Sequence, residues 1–194
     1  MESNLLLALL LALAIASMLL YFPLNRGRAR YFIESPLDRV IPFIPVFIFP
    51  YFAFIPFIIV GLIVGVASVF APQFLLALII GVLAGSFVRY FVHSGIRQPE
   101  IRRTNPSNKL VHWLYRNDDR AHIFPSTHVL ISMIMSYYLA LAYPGYAIPI
   151  WMIGATIASS TVFVKQHYLV DVIGGLIFAF FAIYATHLIL PVLI

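Results

Sequence analysis

His167 and Asp171 lie four residues apart in the run Lys165-Gln166-His167-Tyr168-Leu169-Val170-Asp171. On a helix that step puts both side chains on one face. The carboxylate can then accept one ring N–H of the imidazole and leave the other ring nitrogen free to attack. A second polar knot, Phe124-Pro125-Ser126-Thr127-His128, stands at the mouth of another apolar stretch. Two histidines guarding two membrane helices suggest phosphoryl chemistry at the bilayer surface. A metal centre is the obvious rival. Yet no further carboxylates or histidines accompany His167 and Asp171 to complete a coordination shell, and there is no His-Glu-x-x-His or cysteine pair. The expectation is therefore no metal and no cofactor, and the dinucleotide and P-loop glycine patterns are also missing.

The elements that must position these residues are membrane helices. Apolar residues make up 62% of the 194 and charged ones only 10%, and the mean hydropathy is +0.99, so lipid is the solvent for most side chains. Charges and Pro/Gly breaks divide the chain into about six spans of roughly 20 residues. They run near Leu5–Phe22, Pro50–Val69, Phe74–Phe91, His128–Tyr143, Ile148–Val164 and Leu169–Leu190. The runs are continuous and lack the alternation of a transmembrane β-barrel. The expected fold is an all-α, polytopic membrane bundle forming a single domain over residues 1–194. Ala14-Ile15-Ala16 imitates a signal cleavage site, but Glu2 is the only charge before it, so the first span reads as an uncleaved anchor. The absence of cysteine removes disulfide and thiol chemistry.

With both termini on one side, the loops after spans one, three and five share the opposite side. All twelve basic residues fall there or at helix ends on it: Arg26, Arg28, Arg30, Arg39, Arg89, Arg97, Arg102, Arg103, Lys109, Arg116, Arg120 and Lys165. The other face has short turns, Ala71-Pro72-Gln73 and Tyr143-Pro144-Gly145-Tyr146. Topology and attraction to anionic headgroups account for Arg26, Arg28 and Arg30. Arg97 or Arg103 is assigned to binding a phosphate ester, which guanidinium does with bidentate geometry. Residues 35–50 are apolar but broken by Pro36, Pro42, Pro45 and Pro50, and read as an interfacial segment leading into the second span. Residues 92–127 read as a loop on the catalytic side. His93, His112, His122 and His187 read as interfacial anchors, and Gly174-Gly175 as a site of close helix packing.

Pro125-Ser126-Thr127-His128 is followed after one span by Ser160-Thr161-Val162-Phe163-Val164-Lys165-Gln166-His167-Tyr168-Leu169-Val170-Asp171. Together these resemble the second and third motifs of the type 2 phosphatidic acid phosphatase superfamily. They are most similar to the branch that includes inositol phosphorylceramide synthases, over roughly Leu37 to Gly175. The resemblance implies that His167 attacks phosphorus, that Asp171 fixes its tautomer and stabilises the imidazolium, and that His128 protonates the departing alkoxide. Water or an alcohol then cleaves the phosphohistidine. The nonbridging oxygens would be held by Ser126, Thr127, backbone N–H groups at the start of the fourth span, Lys165, Arg97 and Arg103.

Two departures stand out. The family's first motif ends in Arg-Pro, whereas this chain has Arg97-Gln98-Pro99, so the role is displaced by one place or passes to Arg102 or Arg103. The third motif usually begins Ser-Arg; here Thr161 takes the Arg position, and Lys165, one helical turn later, reads as the substitute.

The implied activity is metal-independent phosphatase action on a phospholipid or isoprenoid phosphate in a multi-pass protein of the cell membrane. Two alternatives are a phosphotransferase passing a phospho-headgroup to a lipid alcohol, and a non-catalytic lipid transporter or scaffold. The expected partners are phosphorylated membrane lipids, with no nucleic acid and no obligate protein partner. Counting basic residues places the catalytic face in the cytoplasm, and the resemblance places it outside; the second assignment is adopted, because arginines that bind substrate need not set topology.

Overall fold

Among the described residues, each of the six apolar spans folds mainly as helix. The computed structural model describes residues 2–20, 23, 29–102, 105–118, 121 and 123–190. In chain order the helices are α1 (Glu2–Leu19), α2 (Pro36–Val40), α3 (Ile48–Phe52), α4 (Phe54–Val66), α5 (Ala71–Phe91), α6 (Pro106–Asn117), α7 (Thr127–Ala142), α8 (Ala147–Phe163) and α9 (Leu169–Ile189). Short 3₁₀ turns, Pro45–Phe47 and Pro144–Tyr146, lead into α3 and α8. Among the described residues four stretches are long and apolar enough to cross a membrane: Pro45–Val66, Ala71–Phe91, Pro144–Phe163 and Leu169–Ile189. α1 and α7 are shorter apolar helices that complete the bundle. Among the described residues there is no strand, only isolated bridges from Tyr31 to Ser94 and from Gly95 to Ala121.

The proline-rich stretch departs from the expectation that residues up to Pro50 lie outside the second span. The helical structure of the second span begins at Pro45, because its prolines fall in first turns: Pro45 opens the 3₁₀ turn, Pro50 is third in α3 and Pro56 third in α4. First-turn N–H groups have no intrahelical acceptor, so losing one there costs little. A break at Ala53 separates α3 from α4. The catalytic-side loop also contains a helix that its polarity concealed. α6 buries Val111, Leu114 and Tyr115 against Ile48, Tyr51 and Val164, and exposes Lys109, Trp113 and Arg116. The Tyr115 hydroxyl donates to the Val164 carbonyl at 2.7 Å, tying this helix to the segment that follows α8.

Large apolar side chains are exposed along the spans, among them Leu5, Leu9, Ile59, Ile63, Phe87, Ile148, Phe180 and Tyr184. A surface this apolar belongs in a bilayer. The interior is filled by Phe74, Leu75, Leu78, Leu130, Ile134, Met135, Tyr138, Ile157 and Ala182. Two glycines set how closely α9 approaches the start of α7. A Cβ on Gly175 would lie 2.7 Å from the Ser126 carbonyl oxygen, and one on Gly174 would lie 2.5 Å from the Phe124 ring. Only a hydrogen at these positions lets the two helices begin side by side, which is the close-packing role expected for the pair.

Candidate functional site

The site is built where those two helices begin. Ser126 is the N-cap of α7: its hydroxyl accepts from the Val129 N–H at 3.4 Å, and it is wholly buried. Its own N–H donates to the Asp171 carbonyl at 3.0 Å, which staples the first turn of α9 to the start of α7. Two helix N-termini therefore converge, and their dipoles make the region favourable for an anion. The platform beneath is knitted by Ser94, whose carbonyl accepts from Ile123 at 3.4 Å and whose hydroxyl accepts from Phe124 N–H at 2.9 Å.

His167 and Asp171 do come together, but not on a shared helix face. α9 begins at Leu169, so His167 precedes it and Asp171 sits in its first turn. The carboxylate folds back over the helix start, where one oxygen, Oδ2, accepts the Tyr168 N–H at 2.8 Å and lies 3.5 Å from His167 Nδ1. Both side chains are nearly sealed, at 8% and 1% exposure. A carboxylate so deep in an apolar bundle is costly unless partnered, and the cap and the imidazole are its partners. The His167 N–H donates to the Thr161 carbonyl at 3.1 Å, which fixes the backbone under the ring.

His128 lies in the first turn of α7 between the rings of Tyr51 and Phe54, with centroids 4.5 and 4.2 Å away. Its ring centroid is 6.2 Å from that of His167. The two imidazoles thus meet at one end of the bundle, as their motifs suggest. Thr127 is adjacent, and its hydroxyl accepts from Arg89.

Arg89 was not among the expected site residues. It lies in the last turn of α5, is 3% exposed, and also donates to the Pro125 carbonyl at 2.8 Å. A sequence signal existed, since a charge inside an apolar run is a functional candidate by default. Arg89 stands near the span's end, however, where an arginine can equally snorkel to the headgroups.

The other expected phosphate ligands are placed differently. Thr161 is wholly buried and donates to the Ala158 carbonyl at 2.7 Å. α8 ends at Phe163 and Lys165 adopts a φ of +53°, so Lys165 does not continue the Thr161 face as a helical repeat would require. A left-handed conformation costs a residue with a Cβ on the order of 1 kcal/mol. The ammonium offsets it by donating to the carbonyls of Asp38 at 3.0 Å and Ile41 at 2.7 Å. Burial lowers the Lys165 pKa, and the carboxylates of Asp38 and Glu34 oppose that shift. The exposed Arg97 stacks its guanidinium over the Phe32 ring at 5.2 Å, while its backbone N–H donates to the Tyr168 hydroxyl at 3.2 Å. Burial raises the pKa of that hydroxyl. Arg103, Arg26, Arg28, Arg120 and His122 lie outside the described residues.

Asp38 was also missed, although Ser35-Pro36-Leu37-Asp38 has capping-box spacing. Its Oδ2 accepts from the Ser35 N–H at 2.7 Å and the Ser35 hydroxyl at 2.6 Å. Its Oδ1 accepts from the Leu169 N–H at 2.8 Å, at the first residue of α9. One buried carboxylate thus caps two helices and latches α2 onto the turn that carries His167. Asp38→Ala should lower the unfolding free energy by about 2–4 kcal/mol, since it removes a cap and leaves partly buried donors unsatisfied. Thermal melts in detergent measure this, and a wild-type melting temperature would refute the latch.

Among the described residues no group of three or more His, Cys, Asp or Glu could hold a metal ion. In comparison with known proteins, the model of the PAP2 superfamily matches residues 72–193, which takes in α5 to α9 and both histidine motifs. No curated protein and no solved structure matches the chain. With that match over more than half of its length, the chain belongs to the PAP2 superfamily.

Proposed function

We propose that the protein is an integral membrane phosphatase that hydrolyses a lipid phosphate ester through a phosphohistidine on His167. The observation that carries this reading is the buried His167–Asp171 pair set across from His128, with ring centroids 6.2 Å apart. His167 Nε2 attacks phosphorus while Nδ1–H closes on Asp171, a contact of 3.5 Å here; catalytic hydrogen bonds are often long before substrate tightens them. The N–P bond forms, the ester P–O bond breaks, and His128 in its protonated form gives the leaving alkoxide its proton. His128 then takes a proton from water as that water attacks the phosphohistidine, which releases phosphate and restores His167. The first-turn N–H groups of α7, the Thr127 hydroxyl and Arg89 stabilise the charge on the nonbridging oxygens. Ser126 contributes as the cap that orients those N–H groups. Lys165 contributes by holding the turn before His167.

The test is purified protein in lipid nanodiscs against a panel of lipid phosphates, with and without a chelator, measuring free phosphate and lipid products together. Phosphate release that survives chelation supports the reading. A new phospholipid without free phosphate would point to a phosphotransferase, and release unchanged on replacing His167 would point to a non-catalytic bundle with a contaminating activity. In this reading the catalytic face lies outside the cytoplasm. A single cysteine at Lys109, in a chain that has none of its own, should react with an impermeant thiol reagent on intact cells, and protection until lysis would reverse the orientation.

A further inference from the structure

A cavity of about 350 Å³ runs from His128 along the membrane-facing side of the bundle. Its walls are Ile15, Met18 and Leu19 of α1, Phe54, Ile55, Ile58 and Leu62 of α4, and Thr127, His128 and Ile131 of α7. Apart from Thr127 and His128 at one end, every lining side chain is apolar. From Phe54 to Leu62 is eight residues of helix, a depth of about 12 Å toward the bilayer centre. The cavity lies at the lower end of the ~300–1,000 Å³ range of ligand pockets. If a methylene fills about the volume of a water molecule, ~30 Å³, the cavity holds roughly a dozen carbons. That matches one hydrocarbon chain of medium length.

We infer that this cleft seats a single hydrocarbon chain of the substrate, and that α1 and α4, both ahead of the region matched by the PAP2 superfamily, set the chain length the protein accepts. The inference rests on the proposed phosphatase reading for the identity of the headgroup. Its own support is continuity. The imidazole that lines the mouth of the cleft is the one that faces His167, so a chain lying in the cleft delivers its phosphate to the two histidines. Depth supports it as well. The lining comes from the C-terminal end of α1 and the N-terminal ends of α4 and α7, all of which lie toward the catalytic face, so a headgroup at that face leaves its chain inside the cleft.

The experiment measures binding, independent of turnover, of a homologous series of n-alkylphosphonates from four to about sixteen carbons to the full chain in nanodiscs. Affinity should strengthen by about three- to fourfold per added methylene and then stop gaining near a dozen carbons. Partition into the bilayer also favours longer chains, so the informative readout is the length at which the gain stops and how variants move it. Ile58→Trp, which fills the middle of the cleft, should shorten that length by several carbons. Leu62→Ala, which opens its floor, should lengthen it. Phe180→Trp, on the exposed lipid-facing side of α9, should leave it where the wild type has it. An unmoved limit in both Ile58→Trp and Leu62→Ala would assign the cleft to ordinary membrane lipid and overturn the inference, and so would an equal shift in Phe180→Trp. Release of phosphate from the matching alkyl phosphates is assayed in parallel. Its failure would count against the phosphatase reading alone, because the length limit is read from binding.

Discussion

Replacing His167 with alanine should reduce phosphate release to background, a loss on the order of 10⁶-fold if it behaves as nucleophile removal does in other covalent mechanisms. The fold should survive. Asp171 keeps its bond from the Tyr168 N–H, and the main chain at position 167 still donates to Thr161, so neither the helix start nor the turn loses its anchor. Among the described residues His167 Nδ1 has no hydrogen-bond partner, and it approaches Asp171 Oδ2 only to 3.5 Å, so the imidazole holds no other element in place. Turnover and thermal melting measured on the same preparation separate the two effects. Labelled substrate quenched in alkaline denaturant should leave label on His167 in the wild type and none in the variant. Label recovered on Ser126 would reverse the assignment, as would turnover near wild type in His167→Ala.

How far the sequence discloses this site depends on the range of the interactions involved. The spans are legible because each is a long apolar run whose length and continuity carry the signal locally, and the glycine pair is legible because small residues at a membrane helix start allow close packing. The His167–Asp171 pairing is legible by spacing, but the geometry beneath it is different. A helix start lies between the two residues, and the same oxygen that approaches the imidazole caps the backbone. The four-residue spacing places the pair in either arrangement, so spacing alone does not distinguish them.

What stayed hidden depends on contacts distant in sequence. Arg89 meets Pro125 and Thr127 across 36 and 38 residues, and Asp38 meets Leu169 across 131. No local pattern encodes such partners. The capping spacing at Ser35 shows that Asp38 has one local duty and gives no sign of the second. Lys165 misled for the opposite reason. A helical count past Thr161 puts it on the Thr161 face, and the turn that ends α8 sends the side chain to the carbonyls of Asp38 and Ile41 instead. α6 escaped notice because its apolar residues cover one side only, in a segment otherwise polar enough to read as loop.

The double duty of Asp171 makes its substitution the more discriminating test. In Asp171→Asn the amide has two orientations, and the Tyr168 N–H decides between them. An amide oxygen at the Oδ2 position keeps the 2.8 Å cap, whereas an NH₂ there would oppose a donor with a donor. The oxygen therefore stays, and it can still accept from His167 Nδ1–H, so the tautomer that frees Nε2 for attack is retained. What is lost is the negative charge that stabilises the imidazolium and the phosphohistidine as they form. Removing one member of a buried charged pair costs about 3–5 kcal/mol, which, taken from the transition state, corresponds to a fall in kcat of roughly 2 × 10² to 5 × 10³-fold. A wrong tautomer would cost nearer ~10⁴-fold. Asp171→Ala removes the cap as well, so it should match or exceed the kinetic loss and also lower helix stability by about 1 kcal/mol, visible as a reduced melting temperature that Asp171→Asn does not share. Wild-type kcat in Asp171→Asn would remove the carboxylate from the mechanism. Equal melting losses in the two variants would show that the amide does not hold the cap, and a 10⁴-fold fall in kcat would then be the expected companion of that result.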